Sequence, residues 1–294
     1  MAGVYKGDQM NKIFKQCLIF ACIASVPVLA AASACTAKPV EKSGILEANA
    51  VEGAQATQYV MCVSKEVADA QLLLDTVNEV LDEIDVEDIA QKYCDYQNRR
   101  GYQTLENYMY NLNDNTGEPI IVYTSTFEPF NYSGAGGAYT DGIDAYIMLH
   151  VAEKLDRQIK FFDYDYSYSY SETKAGNADF FVGGIALTDA LKQDFLVSDV
   201  YLSGSQKIVC DKNEHFTQLG QLKGLRIGVV SGREGAELVK DEINNGSLKG
   251  TGASIMEYST DTEAESMLHQ QMCDVLVLDD FPAVLIAEKA NDGA

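Results

Sequence analysis

Residues 59–93, YVMCVSKEVADAQLLLDTVNEVLDEIDVEDIAQKY, read like the end of a domain, yet they stand near the start of the chain. A short apolar strand at 60–63 leads into a helix over 68–84, where Leu72, Leu73, Val77, Val80, Leu81 and Ile84 recur at helical spacing. Val86, Ile89, Ala90 and Tyr93 continue as a second short helix. The polar stretch 98–118, with NDNTGEP as turn chemistry, predicts a connector. What looks like the start of the same domain, IIVYTSTFEPFNY, begins only at Ile120. This order decides whether the chain makes one whole domain or only part of one.

From Ile120 strands and helices alternate. Strands are predicted at 120–123, 158–162, 180–183, 225–230, 253–258 and 274–278, with an extended crossing segment at 207–210. Helices are predicted at 145–155, 236–243, 261–272 and 281–290, with a further start at Leu187-Thr188-Asp189. Gly134–Gly137 reads as a glycine-rich turn, and Asp144 is placed to cap the helix that follows. Such alternation predicts an α/β fold with parallel sheets, whose ligands sit at the carboxyl ends of the strands.

The first residues have a different character. Lys12 and Lys15 precede the apolar run 18–32, which is short for a membrane span and interrupted by Pro27. Residues 1–34 therefore read as a signal peptide. Cys35 follows Ala-Ser-Ala and stands where a lipid-acceptor cysteine would. Residues 35–56, small and weakly patterned, read as a tether. The expected location is extracytoplasmic, secreted and lipid-anchored to the cell membrane.

Net charge is -22, which argues against a nucleic-acid partner, since phosphate binding needs clustered Lys and Arg. Once Cys17, Cys22 and Cys35 are set aside, Cys62, Cys94, Cys210 and Cys273 show no metal-ligand spacing and are expected as free thiols. His150, His215 and His269 stand isolated, and no GxSxG, P-loop or HExxH motif occurs. No catalytic residue, metal site or cofactor is expected.

Six segments follow one another: TSTFEPFNY at 124–132, GID at 142–144, KAGNADFFVGGIALT at 174–188, FLVSDVYLSGSQKIVCDK at 195–212, LGQLKGLRIGVVSGREG at 219–235, and STDTEAESMLHQQMCDVLVLDDFPA at 259–283. In kind and order they resemble the bacterial extracellular solute-binding proteins of the polar amino acid type, family 3. The resemblance implies a two-lobed, type II periplasmic-binding-protein-like clamp that closes on a small ligand by hinge motion and delivers it to a membrane ABC permease. Residues 59–93 resemble that family's terminal segment, so the hinge strand and helices of the C-terminus stand at the N-terminus. A circular permutation, a decayed tandem copy and a swapped tail all fit this order. The implied division is 57–97 as the displaced segment of lobe one, 98–118 as connector, 119–206 as lobe one, and 207–294 as hinge strand and lobe two. With 207–210 and 60–63 as neighbouring hinge strands, Cys62 and Cys210 would come close enough for a disulfide to be considered.

The same resemblance implies the site. Phe127 matches an aromatic that stacks on the ligand, and Tyr166 the facing wall. Gly184, Ala186 and Thr188 fall in the first-lobe binding segment, Ser231 and Arg233 at a helix start of the second lobe, and Asp279 at the acid that takes an ammonium. Leu191 stands where the family's carboxylate-clamping arginine is expected, and an aliphatic side chain cannot supply a bidentate fork. Arg233 is the candidate replacement cation, offered from the opposite lobe. The expected ligand is a small polar molecule, an amino acid or amine. A sensory module, a decayed non-binding paralogue and a dehydratase-like enzyme are the alternatives.

Overall fold

The computed structural model describes residues 42–95, 117–133 and 140–292. The expected signal peptide, Cys35, most of the connector and the glycine-rich turn lie outside these residues. In chain order the strands are β1 (Leu46–Ala50), β2 (Thr57–Ser64), β3 (Gly117–Thr124), β4 (Tyr132–Ser133), β5 (Thr140–Asp141), β6 (Arg157–Asp163), β7 (Phe180–Ala186), β8 (Phe195–Val197), β9 (Leu202–Gly204), β10 (Gln206–Asp211), β11 (Arg226–Val230), β12 (Ser254–Tyr258) and β13 (Val275–Asp279). The helices are α1 (Ala70–Glu83), α2 (Val86–Cys94), α3 (Ile143–Lys154), α4 (Tyr166–Lys174), α5 (Asp189–Asp194), α6 (Glu234–Asn244), α7 (Asp261–His269) and α8 (Asp280–Asn291).

Among the described residues two main sheets form, one per lobe. The first runs β6-β3-β7-β2-β8, with β9 also on β2; the second runs β1-β10-β13-β11-β12. Each has a parallel part, β6-β3-β7 or β13-β11-β12, as the alternating pattern predicts. Each also has strands that run the other way: β2 is antiparallel to β7, and β10 to β13. The two antiparallel strands carry the chain between lobes.

Every residue of β2 except Gln58 is buried, which suits a strand covered on both faces. Met61 and Val63 share a core with Leu73 and Val77 of α1, Ile120 and Val122 of β3, and Ile147 and Val151 of α3. Cys62 faces the opposite side, with Phe181, Ile185, Leu191 and Phe195. Residues 57–94 therefore pack into the lobe built from residues 117–204, between strands made much later in the chain.

Three expectations need correction. Residues 46–50 were expected within a tether, but they form β1, paired antiparallel with β10 from Leu46↔Asp211 to Ala50↔Lys207. The partners of 60–63 are β7 and β8, not 207–210. The crossing strands pair as Thr57↔Gly204 on one side of the pivot and Ala50↔Lys207 on the other. Cys62 and Cys210 consequently run away from the pivot into different sheets, and both are buried free thiols. Asp144 is not the helix cap: Gly142 holds that position, and Asp144 lies inside the first turn of α3 with its side chain fully buried.

Candidate functional site

The parallel strands of both sheets end facing each other. In the middle of β7 stand Gly183 and Gly184, both at positive φ, 119° and 63°, where its pairing with β2 is irregular. A side chain at either would collide: a Cβ at Gly183 comes within 2.9 Å of the Ser125 carbonyl, and one at Gly184 within 2.7 Å of the Phe127 and Phe130 rings. Glycine lets this backbone pack against the aromatic turn after β3 while exposing its carbonyls. Asp144 holds it from behind. Its Oδ2 accepts hydrogen bonds from Gly183 N–H at 2.7 Å and Gly184 N–H at 2.9 Å, and its Oδ1 one from the Tyr201 hydroxyl at 2.6 Å. Burial pushes the Asp144 carboxyl up to about 6, against the pull of these three donors.

Arg233 reaches this turn from the other lobe. It is the cap residue of α6, but its side chain makes no cap hydrogen bond. Instead Nη1 donates to Gly183 O at 3.1 Å and Gly184 O at 2.9 Å, and Nη2 to Ser125 Oγ at 3.5 Å. The guanidinium carbon lies 3.5 Å from the Phe127 ring centroid and 5.7 Å from that of Tyr166. Phe127 is itself stacked on Phe130, with centroids 5.6 Å apart and planes 5° from parallel. Burial pushes the Arg233 pKa down, opposed by the charges of Asp279 and Asp261 and by Tyr166 and Tyr59, but a guanidinium in these surroundings stays protonated.

A cavity of about 520 Å³ opens between the lobes, lined by Ser125, Thr126, Asp163, Asp165 and Tyr166 from one side and Ser231, Arg233 and Thr260 from the other. Of the residues expected at the site, Tyr166, Ser231 and Arg233 line this cavity directly. Phe127 stands one layer deeper, beneath Arg233. Gly184 contributes its carbonyl to Arg233. Ala186 pairs with Tyr59 across β2, away from the lining. Thr188 caps α5, accepting from Leu191 N–H at 3.2 Å. Asp279 is buried, its carboxylate hydrogen-bonded by Gln206 and raised in pKa chiefly by burial. Leu191 is 2% exposed and belongs to the apolar cluster around Cys62, against which Tyr166 of the cavity wall packs.

Sequence reasoning missed several participants. Asp144 and Tyr201 support the glycine turn, and no local pattern announces a pairing 57 residues apart. Tyr59, from the displaced segment, packs on Phe130 at 4.6 Å and Phe281 at 6.0 Å, with its buried hydroxyl unpartnered. Glu128 in lobe one pairs with Lys289 of α8 in lobe two, their side chains 12% and 18% exposed. Asp261 and Glu265 of α7 lie near this pair, and burial pushes the Asp261 carboxyl up to about 6. The described residues hold no cluster of His, Cys, Asp and Glu that could bind a metal, and no helix among them is long and apolar enough to cross a membrane.

The model of the bacterial extracellular solute-binding proteins, family 3, matches residues 120–276. A probable histidine-binding protein of Neisseria gonorrhoeae is 25% identical over 130 residues, covering 44% of this chain and 48% of its own. The chain thus spans about half the length of the curated relative it matches. Among solved structures, an ancestral arginine-binding protein bound to glutamine superposes with a TM-score of 0.53 at 24% identity, over 60% of this chain and 76% of that one. An ancestral amino acid-binding protein, described as a precursor of cyclohexadienyl dehydratase, gives a TM-score of 0.50 at 21% identity, over 63% of this chain and 78% of that one. These likenesses support a two-lobed solute-binding fold.

Proposed function

Because this chain belongs to the bacterial extracellular solute-binding proteins, family 3, we propose that it captures a small polar solute outside the cytoplasm and passes it to an ABC importer. One observation carries this reading: a cavity of about 520 Å³ at the facing strand ends, walled by aromatic side chains of lobe one and hydroxyl side chains of both lobes. Pockets of this size suit a ligand of amino acid dimensions. Tyr166 and Ser231 are the proposed direct contacts, with Phe127, Gly184 and Arg233 forming the floor and Ala186, Thr188 and Asp279 supporting it. The solute is an amino acid or amine-like molecule, bound and released rather than transformed, as the family's binding role suggests.

The tail-first order we read as a circular permutation completed within one chain, with Cys35 as the site of a lipid anchor. A thermal-shift screen against amino acids, polyamines and small acids tests the binding function. A solute that raises the melting temperature, and loses that effect in Tyr166→Ala, supports it, because binding to the native state alone stabilises it. No shift with any of these favours the decayed paralogue. Turnover of a prephenate-like acid would instead favour the enzyme. Mass spectrometry of the mature chain tests the anchor, which requires a diacylglyceryl group on Cys35.

A further inference from the structure

We propose that lobe one carries a guanidinium-binding box whose resident ligand is the chain's own Arg233, so that Arg233 both draws the lobes together and bars solutes bearing a cationic side chain from the inner cleft. The specificity half of this proposal rests on the solute-binding reading; the closure half does not.

The box has the parts that recognise a planar cation. Phe127 offers a flat π face 3.5 Å from the guanidinium carbon. A second ring, that of Tyr166, stands 5.7 Å away. The Gly183 and Gly184 carbonyls both accept from Nη1, at 3.1 and 2.9 Å. A buried carboxylate stands behind them. The peptide joining Gly183 to Gly184 donates its N–H to Asp144 and turns its carbonyl to Arg233, so one peptide group is polarised between an anion and a cation. All these groups belong to lobe one, whereas Arg233 belongs to lobe two. The box therefore exists without its occupant, and the occupant is tethered.

Tethering settles the competition. A covalently linked group meets its site at an effective concentration of the order of millimolar. A free guanidinium compound must displace it, and lobe closure with it. The space left is the cavity beyond Arg233, bordered by hydroxyls of Ser125, Thr126, Ser231 and Thr260 and by the carboxylates of Asp163 and Asp165. A solute there lies against the outer edge of Arg233, and any cationic group it carries faces Asp163 and Asp165 rather than the inner box.

The test titrates methylguanidinium chloride and L-arginine calorimetrically into the wild-type chain and Arg233→Gly, with small-angle scattering of both. Glycine suits a helix cap position. Expected are at least ~10-fold tighter binding of both probes by Arg233→Gly, loss of that gain on adding Phe127→Leu, and a larger radius of gyration for Arg233→Gly that shrinks on adding L-arginine. A folded Arg233→Gly with unchanged radius and no gained binding overturns the proposal. So does wild-type binding of L-arginine that Phe127→Leu abolishes. If Arg233→Gly fails to fold, Phe127→Leu alone decides: expansion supports the box, an unchanged radius refutes it. A variant that gains methylguanidinium while the wild type binds no solute at all keeps the box and sinks the solute-binding reading.

Discussion

Asn291, in the last turn of α8, exchanges two hydrogen bonds with the backbone of Leu46: Leu46 N–H donates to Asn291 Oδ1 at 3.0 Å, and Asn291 Nδ2 donates to Leu46 O at 2.9 Å. The final helix thus touches the first strand although 245 positions separate these residues. In the order of segments that the family resemblance implies, residues 57–97 follow this helix, and β1 stands just before them.

A chain reordered to run from residue 117 to 292 and straight into 43 to 95 is accordingly expected to fold into the same two lobes. Circular dichroism and scattering should match the parent, with a melting temperature within several degrees. An unfolded or dimeric product would refute intrachain permutation and favour a swapped tail. In the parent, Asn291→Ala is expected to cost ~1–2 kcal/mol for the two part-buried hydrogen bonds.

Leu191 is buried among Phe181, Ile185 and Phe195. Leu191→Ala should cost ~2–5 kcal/mol through the cavity it leaves. Leu191→Arg should lower stability as well, because it forces a charge into an apolar cluster, and should create no new carboxylate clamp. Urea unfolding reads the first expectation. Any solute affinity gained by Leu191→Arg would contradict the second.

Asp144 and Asp261 are both raised by burial to about 6. Between pH about 4 and about 6 the folded chain holds protons that the unfolded chain has released. These two groups thus make stability fall as pH rises through that window and flatten above it. Asp144→Asn should remove its share of the slope, seen as a smaller difference in urea midpoint between pH 4.5 and 7. Asp211 works in the opposite sense. Burial pushes it up, but the N–H groups of Ser43, Asn213 and Gly44 and the Ser43 hydroxyl outweigh burial and bring it to about 2. Its contribution is present above pH ~4 and is lost as pH falls toward 2. An Asp144→Asn slope equal to that of the parent would contradict the assignment.

The Glu128–Lys289 pair joins the lobes with both side chains largely shielded. Lys289→Met leaves Glu128 beside Asp261 and Glu265 without the cation that offsets them. The expected result is a shift toward open lobes, read as a larger radius of gyration. The double exchange Glu128→Lys with Lys289→Glu should restore part of the compaction, with a coupling of ~1–3 kcal/mol in a double-mutant cycle. Equal radii for parent and Lys289→Met would show that the pair does not hold the lobes.

Much of the architecture was legible because apolar periodicity is local. Ile147 and Val151 announce α3, and the run RIGVV announces β11. The run LEANA did not read as a strand: its residues are only partly buried, and the edge of a sheet asks for little apolar character. The repeat YSYSYSETK carries no apolar periodicity, since the residues that α4 buries are Ser169 and Thr173 rather than aliphatics. Helix α7 stops at His269 instead of 272 because Gln271 adopts a left-handed φ of 58°. At the site, motif order marked Phe127, Tyr166 and Arg233, which the fold gathers around one guanidinium. It could not show that the arginine crosses the cleft, because that depends on how two lobes meet and not on neighbours in the chain.

The place of β2 between β7 and β8 has a consequence during synthesis. This strand leaves the ribosome early, yet its partners extend to Gly204. At ~5–20 residues per second, β2 waits on the order of ten seconds for them. For that interval TQYVMCVS is an apolar strand with both edges unpaired. A chain in the opposite order would add this strand last, to a sheet already formed. The arrangement here leaves the finished lobe unchanged and moves the hazard to the nascent chain, where a holding chaperone has the most to protect.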